Sequence, residues 1–327
     1  MVMKVAVIGA GLAGAAAART LHDAGVQVVV FEKSRGYGGR AAVKRIGGWI
    51  FDSGATSLTP RGLAIESALQ DHLSNDEVIW IDKPIYTHSS GRIKPGDPSR
   101  NNKRCCFKSG MNALSKAMLQ GTVETKLETK IERLELPGDG GVVVDGAWFD
   151  AAILTCPAPQ TLELLKTVGQ NRGLDRSTYR RTLSVMLAWE SEFDAPWHAL
   201  IDPDQDEPLT WMCVETIKAP GARGPLGTTA VVAQMSRSYS LDHWESEESK
   251  VLRDAQTYCE RLIGREMGLP AAASLHRWKF AQPEAVIQFE TANPQNTKLL
   301  VAGDALEGPR LELAYESGLK AAARLLS

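Results

Sequence analysis

Residues 3–32, MKVAVIGAGLAGAAAARTLHDAGVQVVVFE, decide the fold. Met3 to Ile8 is a short apolar run rich in β-branched residues, the pattern of a strand buried on both faces. It meets the turn Gly9-Ala10-Gly11-Leu12-Ala13-Gly14, and Ala15 to His22 continues as an alanine-rich stretch that favours helix. Gly25 stands where a helix ends on glycine, and Gln27 to Phe31 is a second strand that delivers Glu32. A β-α-β unit of about 30 residues implies parallel strands joined by a crossover, hence an α/β doubly wound, Rossmann-like sheet. Gly9, Gly11 and Gly14 form G-x-G-x-x-G at the strand-to-helix junction. The first permits the tight turn, the second lets backbone approach a pyrophosphate, and the third lets helix and strand pack closely. Glu32, 18 residues after Gly14, can accept both hydroxyls of an adenosine ribose. An acid there disfavours a 2′-phosphate, so FAD or NAD is expected rather than NADP.

The remainder of the chain fits an ordinary globular protein. Its 327 residues suggest two domains, with 43% hydrophobic and 23% charged residues and a formal net charge of −2. That charge gives no reason to expect nucleic acid or an anionic membrane as partner. No apolar run approaches the length of a spanning helix, and the N-terminal apolar segment is broken by glycines instead of leading to a cleavage site. Five irregularly spaced cysteines argue against a disulfide framework, so a cytoplasmic protein with reduced thiols is expected.

Beyond Glu32, residues 41–52 read as a hairpin around Gly47-Gly48, and 61–73 as a helix. Residues 84–104 look like a basic loop. Met111 to Gln120 reads as helix, then strands are expected at 122–126, 128–136, 141–149 and 150–155, and a helix near 158–167. Strands at 182–190, 209–216 and 228–235 carry large aromatics, and a helix is expected from about 243 to 263. A strand at 298–302 and a helix from about Pro309 close the chain.

Two further motifs separate FAD from NAD. Lys33-Ser34-Arg35-Gly36-Tyr37-Gly38-Gly39-Arg40 offers a second glycine turn with an arginine for the same pyrophosphate. Near the other end, Gly303-Asp304 follows a strand, where the aspartate suits a ribityl chain. The helix that follows could stabilise negative charge on a reduced ring. Segments 5–40, 49–58 and 299–322 together resemble the flavin-containing amine oxidase superfamily. Within it, Phe51-Asp52-Ser53-Gly54-Ala55 and Arg277 to Pro283 look most like the bacterial renalase-like group.

The resemblance implies a two-domain fold of the p-hydroxybenzoate hydroxylase type, an FAD-binding domain interleaved with an α+β substrate domain. Residues 1–75, 105–168 and 276–327 would form the first, and 76–104 and 169–275 the second. By this likeness Gly9, Ala10, Gly11, Leu12, Ala13, Gly14, Glu32, Lys33, Gly39, Arg40, Gly303, Asp304, Leu311, Glu312 and Leu313 would hold FAD. Gly54 and Ala55 would lie close to the flavin, and Ile131, on the strand 128–134, would meet the adenine. The superfamily's tethering cysteine has no counterpart, because the last cysteine is Cys259, so FAD should be non-covalent. Where an aromatic partner would flank the flavin stands Arg310, a poor neighbour for a protonated amine.

A renalase-like enzyme is expected to oxidise isomeric dihydronicotinamide dinucleotides by hydride transfer to flavin, passing electrons to oxygen. No side-chain acid or base is required, and none is assigned. Residues 92–108 hold six Lys or Arg and one Asp. They read either as a solvated loop or as a rim where Arg92, Lys94, Arg100 or Arg104 docks phosphate. Trp278 and Gln282, after a short strand, could wall the pocket, or Trp278 could be a core aromatic. Cys105-Cys106 reads as two adjacent strand residues, and Cys156 as packing. The six histidines show no ligand spacing, so no metal is expected. The alternatives are an amine oxidase or desaturase, or a non-catalytic FAD-binding protein.

Overall fold

The structure, a computed structural model, describes residues 2–97, 102–138 and 140–327. The opening unit is β1 (Lys4–Ile8), α1 (Leu12–Asp23) and β2 (Gln27–Phe31), with β1 and β2 parallel in the register Val5 to Val28. A hairpin follows, β3 (Val43–Ile46) and β4 (Trp49–Asp52), then α2 (Leu63–His72) and β5 (Val78–Trp80). The stretch read as a basic loop instead contains β6 (Ile85–Ser89) and β7 (Arg92–Pro95), an antiparallel pair around Ser90-Gly91. The sequence signal failed there because the polar residues alternate on an edge hairpin with little apolar content to mark it.

β8 (Cys105–Phe107) pairs with β5, and α3 (Ala113–Leu119) leads to β9 (Glu124–Lys126). The strand expected at 128–136 shrinks to β10 (Leu134–Glu135). Residues 128–129 bond the backbone of Ser34 and Glu32, and Glu128 takes φ +53°, which breaks the ladder. β11 (Val142–Val144), β12 (Ala147–Phe149), β13 (Ala151–Leu154) and α4 (Ala158–Lys166) complete the middle of the chain.

The second half opens with β14 (Tyr179–Trp189), β15 (Ala199–Ile201), β16 (Leu209–Val214), the short α5 (Glu215–Lys218) and β17 (Thr229–Met235). The helix expected from about 243 to 263 is α7 (Glu248–Ile263), and a short helix not read from the sequence, α6 (Arg237–Asp242), precedes it. Ser236 caps α6 by accepting from the Tyr239 amide. β18 (Ala272–Pro283) is a long strand that contains Trp278 and Gln282, rather than a short one preceding them. α8 (Phe289–Ala292), β19 (Leu299–Val301), α9 (Asp304–Glu307) and α10 (Leu311–Leu326) close the chain.

Among the described residues a five-stranded parallel sheet runs β19-β13-β1-β2-β9, drawing strands from the start, middle and end of the sequence. Its central strands β1 and β13 are buried almost throughout, as a sheet covered on both faces requires. α1 and α10 cross at contact distance: a Cβ on Gly318 would stand 2.1 Å from the Ala13 carbonyl oxygen. A seven-stranded sheet runs β18-β14-β17-β16-β15-β6-β7. One face packs Leu183, Val185, Leu187 and Val231 against Val251, Ala255 and Cys259 of α7. The other face carries Met186, Ala188, Ala230 and Val232 against Trp49 and Phe51 of the β3–β4 hairpin. β18 spans residue 276, where the sequence places its last domain boundary, and pairs with β14 from Ala272 to Pro283.

Candidate functional site

The first glycine turn is closed by backbone. Gly9 donates to Phe31 O at 2.8 Å, and a Cβ on Gly14 would fall 1.9 Å from Gly9 O. Thr155, at the end of β13, donates its hydroxyl to Ile8 O at 2.9 Å and lies against Gly9 and Gly14. The second glycine turn meets the first: Gly38 donates to Ala10 O at 2.9 Å, and Gly11 and Gly38 form a parallel bridge. A Cβ on Gly11 would enter the gap facing Gly38 O and the Gly39 Cα, at 3.9 and 4.0 Å. The result is a groove of bare backbone at the start of α1, whose first amides have no intrahelical partner. Glu32 is buried beside it, accepting from Ala10 N at 2.9 Å and from Ser34 N at 2.8 Å. Those bonds aim the carboxylate and leave it acceptor capacity for ribose hydroxyls.

Farther along, Arg40 and Asp304 form a two-pronged pair at 2.5 and 2.6 Å. Tyr179, from β14, donates to the same carboxylate at 3.4 Å and accepts from Ala158 N. Burial opposes the Arg40 charge, but Asp304 more than offsets it and the guanidinium is held above its ordinary range. Burial and then Asp304 push the Tyr179 phenol up to about 12, so it stays a donor at neutral pH. α10 begins two turns later in the chain at Leu311, with Arg310 as its N-cap and no side-chain cap on its free amides. Glu312 in its first turn is buried and accepts from Arg61 N at 2.6 Å.

Residues 53–56 join the two sheets. Ser53 O accepts from Ser184 Oγ at 2.7 Å and Trp278 Nε1 at 2.8 Å, and Gly54 O accepts from Gln234 Nε2 at 2.7 Å. Ala55 N donates to Arg40 O, and a Cβ on Gly54 would stand 1.9 Å from that oxygen. Beneath this segment lies a fully buried ionic network. Lys218 and Arg223 each donate to Asp52 Oδ2 at 2.7 Å, and Lys218 also bonds Thr56 O at 2.9 Å and pairs with Glu215 at 2.7 Å. Burial raises the Glu215 carboxyl above its ordinary range despite both cations. The network grips both ends of the 53–56 segment.

The structure thus brings together Gly9 to Gly14, Glu32, Gly39, Arg40, Gly54, Ala55, Gly303, Asp304 and, through Gly54, Trp278. Ile131 is buried just beyond the residues bonded to Glu32 and Ser34. Lys33 is exposed, and Gln282 is half-buried opposite Arg180. Arg92 and Lys94 sit on β7, at the opposite edge of the sheet from β18. Arg104 lies beside the Leu58–Cys105 bridge with Arg61 near enough to depress its pKa after burial. Arg100 lies outside the described residues. Sequence reasoning missed Thr155, just past β13, and the strand residues Tyr179, Ser184 and Gln234, because polarity alone did not distinguish them. The buried cysteine pair 105–106 is a strand pair as expected, and burial lifts the Cys105 thiol to about 12.

Two glycine turns that a side chain would fill, an aimed Glu32 and the uncapped start of α10 suit an elongated dinucleotide with an anionic ring system. Comparisons with known proteins agree. Residues 7–71 match the family described as NAD(P)-binding Rossmann-like domain, and residues 99–326 match Flavin containing amine oxidoreductase. A 54-residue stretch is 46% identical to 4,4'-diapophytoene desaturase (4,4'-diaponeurosporene-forming) of Staphylococcus aureus. That stretch is 16% of this chain and only 11% of the desaturase. Among solved structures, a protein of Exiguobacterium sp. 255-15 described as a protoporphyrinogen oxidase superposes with TM-score 0.81 at 15% identity over 99% of both chains. Cyclohexylamine oxidase from Brevibacterium oxydans IH-35A gives 0.79 at 13% identity, over 99% of this chain and 98% of that one. At such identities the likeness carries the fold alone. Among the described residues no helix is long and apolar enough to cross a membrane. The chain belongs to the flavin-containing amine oxidoreductase family and is an FAD-dependent oxidoreductase.

Proposed function

We propose that this flavoenzyme oxidises isomeric dihydronicotinamide dinucleotides, with oxygen as the electron acceptor, in the manner of the renalase-like group. FAD supplies the hydride-accepting chemistry. The chain's residues bind, orient and exclude water. In this reading the groove from Gly9 to Gly14 and Gly39 takes the diphosphate, Glu32 the adenosine ribose, and the Ile131 side the adenine. Arg40, Asp304 and Tyr179 form the polar seat of the ribityl chain, and the free amides of Leu311, Glu312 and Leu313 face the ring. FAD is held non-covalently: Cys156, beside Glu32 and Arg40, is a half-buried residue whose thiol is lifted to about 12, mainly by desolvation.

The observation that carries the substrate reading is the charge around the start of α10. Arg310, Arg61 and Arg104 gather there from three segments; among the described residues none of their side chains pairs with an acid, and they outnumber the two acids beside Gly62, Glu312 and Glu316. Fixed cations repel a protonated amine and attract a phosphorylated substrate. Stopped-flow mixing of the FAD-loaded enzyme under nitrogen tests this. Rapid bleaching of the flavin by isomerised NAD(P)H, and slow bleaching by ordinary NADPH and by amines, is expected. Bleaching by amines alone would return the enzyme to amine oxidation.

A further inference from the structure

The face of the seven-stranded sheet that meets residues 53–56 carries hydrogen-bonding groups that the fold leaves open. Strand register fixes which side chains share that face. Ser184 opposes Gln234, and Gln234 opposes Trp211 on the next strand. Thr182, two residues before Ser184, opposes Trp278. Ser184 and Trp278 both donate to Ser53 O, and Gln234 donates to Gly54 O. The face is therefore turned toward the segment that the reading above sets beside the flavin. Leu183, Val185, Met212 and Val214, at the alternate positions, pack with α7 on the other side.

Two of these side chains have capacity to spare. Gln234 is half-buried, and its Nε2 donates to Gly54 O at 2.7 Å. A carbonyl only accepts, so the amide nitrogen must lie on that side and Oε1, an acceptor, on the other. Among the described residues no donor engages Oε1. Trp211 presents the reverse case: its Nε1 is shielded from water and has no acceptor among the described residues. An indole N–H only donates, and a shielded donor without a partner is rare in a folded chain. Adjacent strands, about 4.8 Å apart, thus offer a free acceptor and a free donor. One of the two side chains is already bonded to the flavin-side segment.

That pair complements a primary carboxamide, whose oxygen accepts from an indole and whose nitrogen donates to a glutamine oxygen. A protonated amine brings no acceptor for Trp211, and a carboxylate brings no donor for Gln234. We infer that Trp211 and Gln234 recognise the carboxamide of the nicotinamide ring and so fix how that ring lies against the flavin. This rests on the dihydronicotinamide reading above and adds two specificity-determining residues to it.

Calorimetric titration of FAD-loaded wild type, Q234L and W211F with NAD+ and with its 3-acetylpyridine analogue tests this without turnover. The analogue keeps the carbonyl but carries a methyl group in place of the amide nitrogen, so it retains the Trp211 contact and loses the Gln234 contact. Wild type should bind NAD+ about five- to tenfold more tightly than the analogue. In Q234L that preference should vanish, whereas W211F should weaken both ligands by about the same factor and keep the preference. The ratio of two affinities within one protein cancels any shift of Gly54 that Q234L itself causes. ADP-ribose, which lacks the ring, should bind all three proteins alike. A preference unchanged in Q234L, affinities unchanged in W211F, an equal loss of ADP-ribose, or a wild type that binds NAD+ no better than the analogue would each overturn the assignment. Flavin bleaching keeps the two claims apart. If the affinities behave as expected but no dihydronicotinamide isomer bleaches the flavin, the substrate reading fails and the carboxamide site stands. If the isomers bleach all three proteins with the same KM and the affinity ratio is constant, the site fails and the substrate reading stands.

Discussion

The two sheets build their surfaces in opposite ways. The parallel sheet ends in short strands of three to five residues, and what it presents at their ends is backbone: glycine amides, the Gly11–Gly38 groove and helix termini. The seven-stranded sheet uses strands of up to twelve residues and presents side chains, such as Ser184, Gln234 and Trp278, each delivered by a different strand. Backbone recognition demands glycine at fixed spacing, because any Cβ closes the gap. Side-chain recognition needs only a polar residue on the right face at the right register, which many sequences satisfy.

Alanine at the first-turn glycines should therefore produce the largest effects, and should separate two roles. In G14A the new methyl collides with Gly9 O at 1.9 Å, so helix and strand must part. We expect G14A to lose both bound flavin and folded protein, read as flavin absorbance per chain and thermal melting. Gly11 has an ordinary φ of −74° and no protein atom within 3.9 Å of the new Cβ. G11A should fold with nearly the wild-type Tm as apoprotein, yet bind FAD at least about tenfold more weakly, because the methyl occupies the diphosphate groove. A G11A protein that takes up FAD like the wild type would break the contrast between the sheets.

Next in size is the joint between them. Lys218→Met removes one of the two cations shared by Asp52 and Glu215 and leaves both buried carboxylates to Arg223 alone. Breaking a buried ion pair in this way costs about 3–5 kcal/mol. Urea denaturation of the FAD-loaded protein should show that loss. Glu215→Gln added to Lys218→Met should recover much of it, since the second change removes the stranded carboxylate while Arg223 still serves Asp52. Failure of the double variant to recover would mean that the network holds shape through packing and not through charge balance.

His198, just before β15, extends the comparison to pH. Its Nδ1 donates to Lys83 O at 2.6 Å, and its Nε2 is buried without a partner. Burial lowers its pKa to about 4, and Lys218 and Arg104 add to the effect, so the ring is neutral in the native state. The unfolded value is about 6.5, so above that pH both states are neutral and stability does not depend on this group. As pH falls from 6.5 toward 4 the unfolded chain takes up a proton that the native state refuses, and up to about 3 kcal/mol is lost. His198→Gln should flatten that acid limb in melts recorded from pH 7 to 4. No residue of the parallel sheet is expected to have a comparable effect.

This asymmetry explains what could be read from the chain. The β-α-β unit, Glu32, the second glycine turn and Gly303-Asp304 were legible because each obeys a backbone rule with a fixed spacing. The pairing of Arg40 with Asp304, 264 positions apart, was not, since nothing in either neighbourhood refers to the other. Nor was the buried network: Asp52, Glu215, Lys218 and Arg223 look like surface charges until β4 and α5 pack together. The β6–β7 hairpin escaped because HPHPH alternation is diluted at an edge by lysine, arginine and proline, which protect such edges from pairing. Conversely, 128–136 reads as strand from its alternation, but a left-handed Glu128 turns it along Glu32 instead.

The smallest expected effect tests whether glycine in the parallel unit always means ligand. Gly25 follows α1 at φ +82°, where its amide bonds His22 O and the Val26 amide bonds Leu21 O, closing the helix end. A Cβ there meets nothing within 4 Å, so the residue is required for its backbone conformation and not for a close approach. Gly25→Ala should cost about 1 kcal/mol, the penalty of a left-handed alanine less the entropy it removes from the unfolded chain. Gly25→Asn should cost less, because asparagine tolerates that conformation. In both variants the affinity for FAD should match the wild type, since the helix start is untouched while its end is altered. If flavin binding weakened as much as in Gly11→Ala, α1 would have to transmit strain along its whole length. The distinction between glycines that face the cofactor and glycines that shape the chain would then be lost.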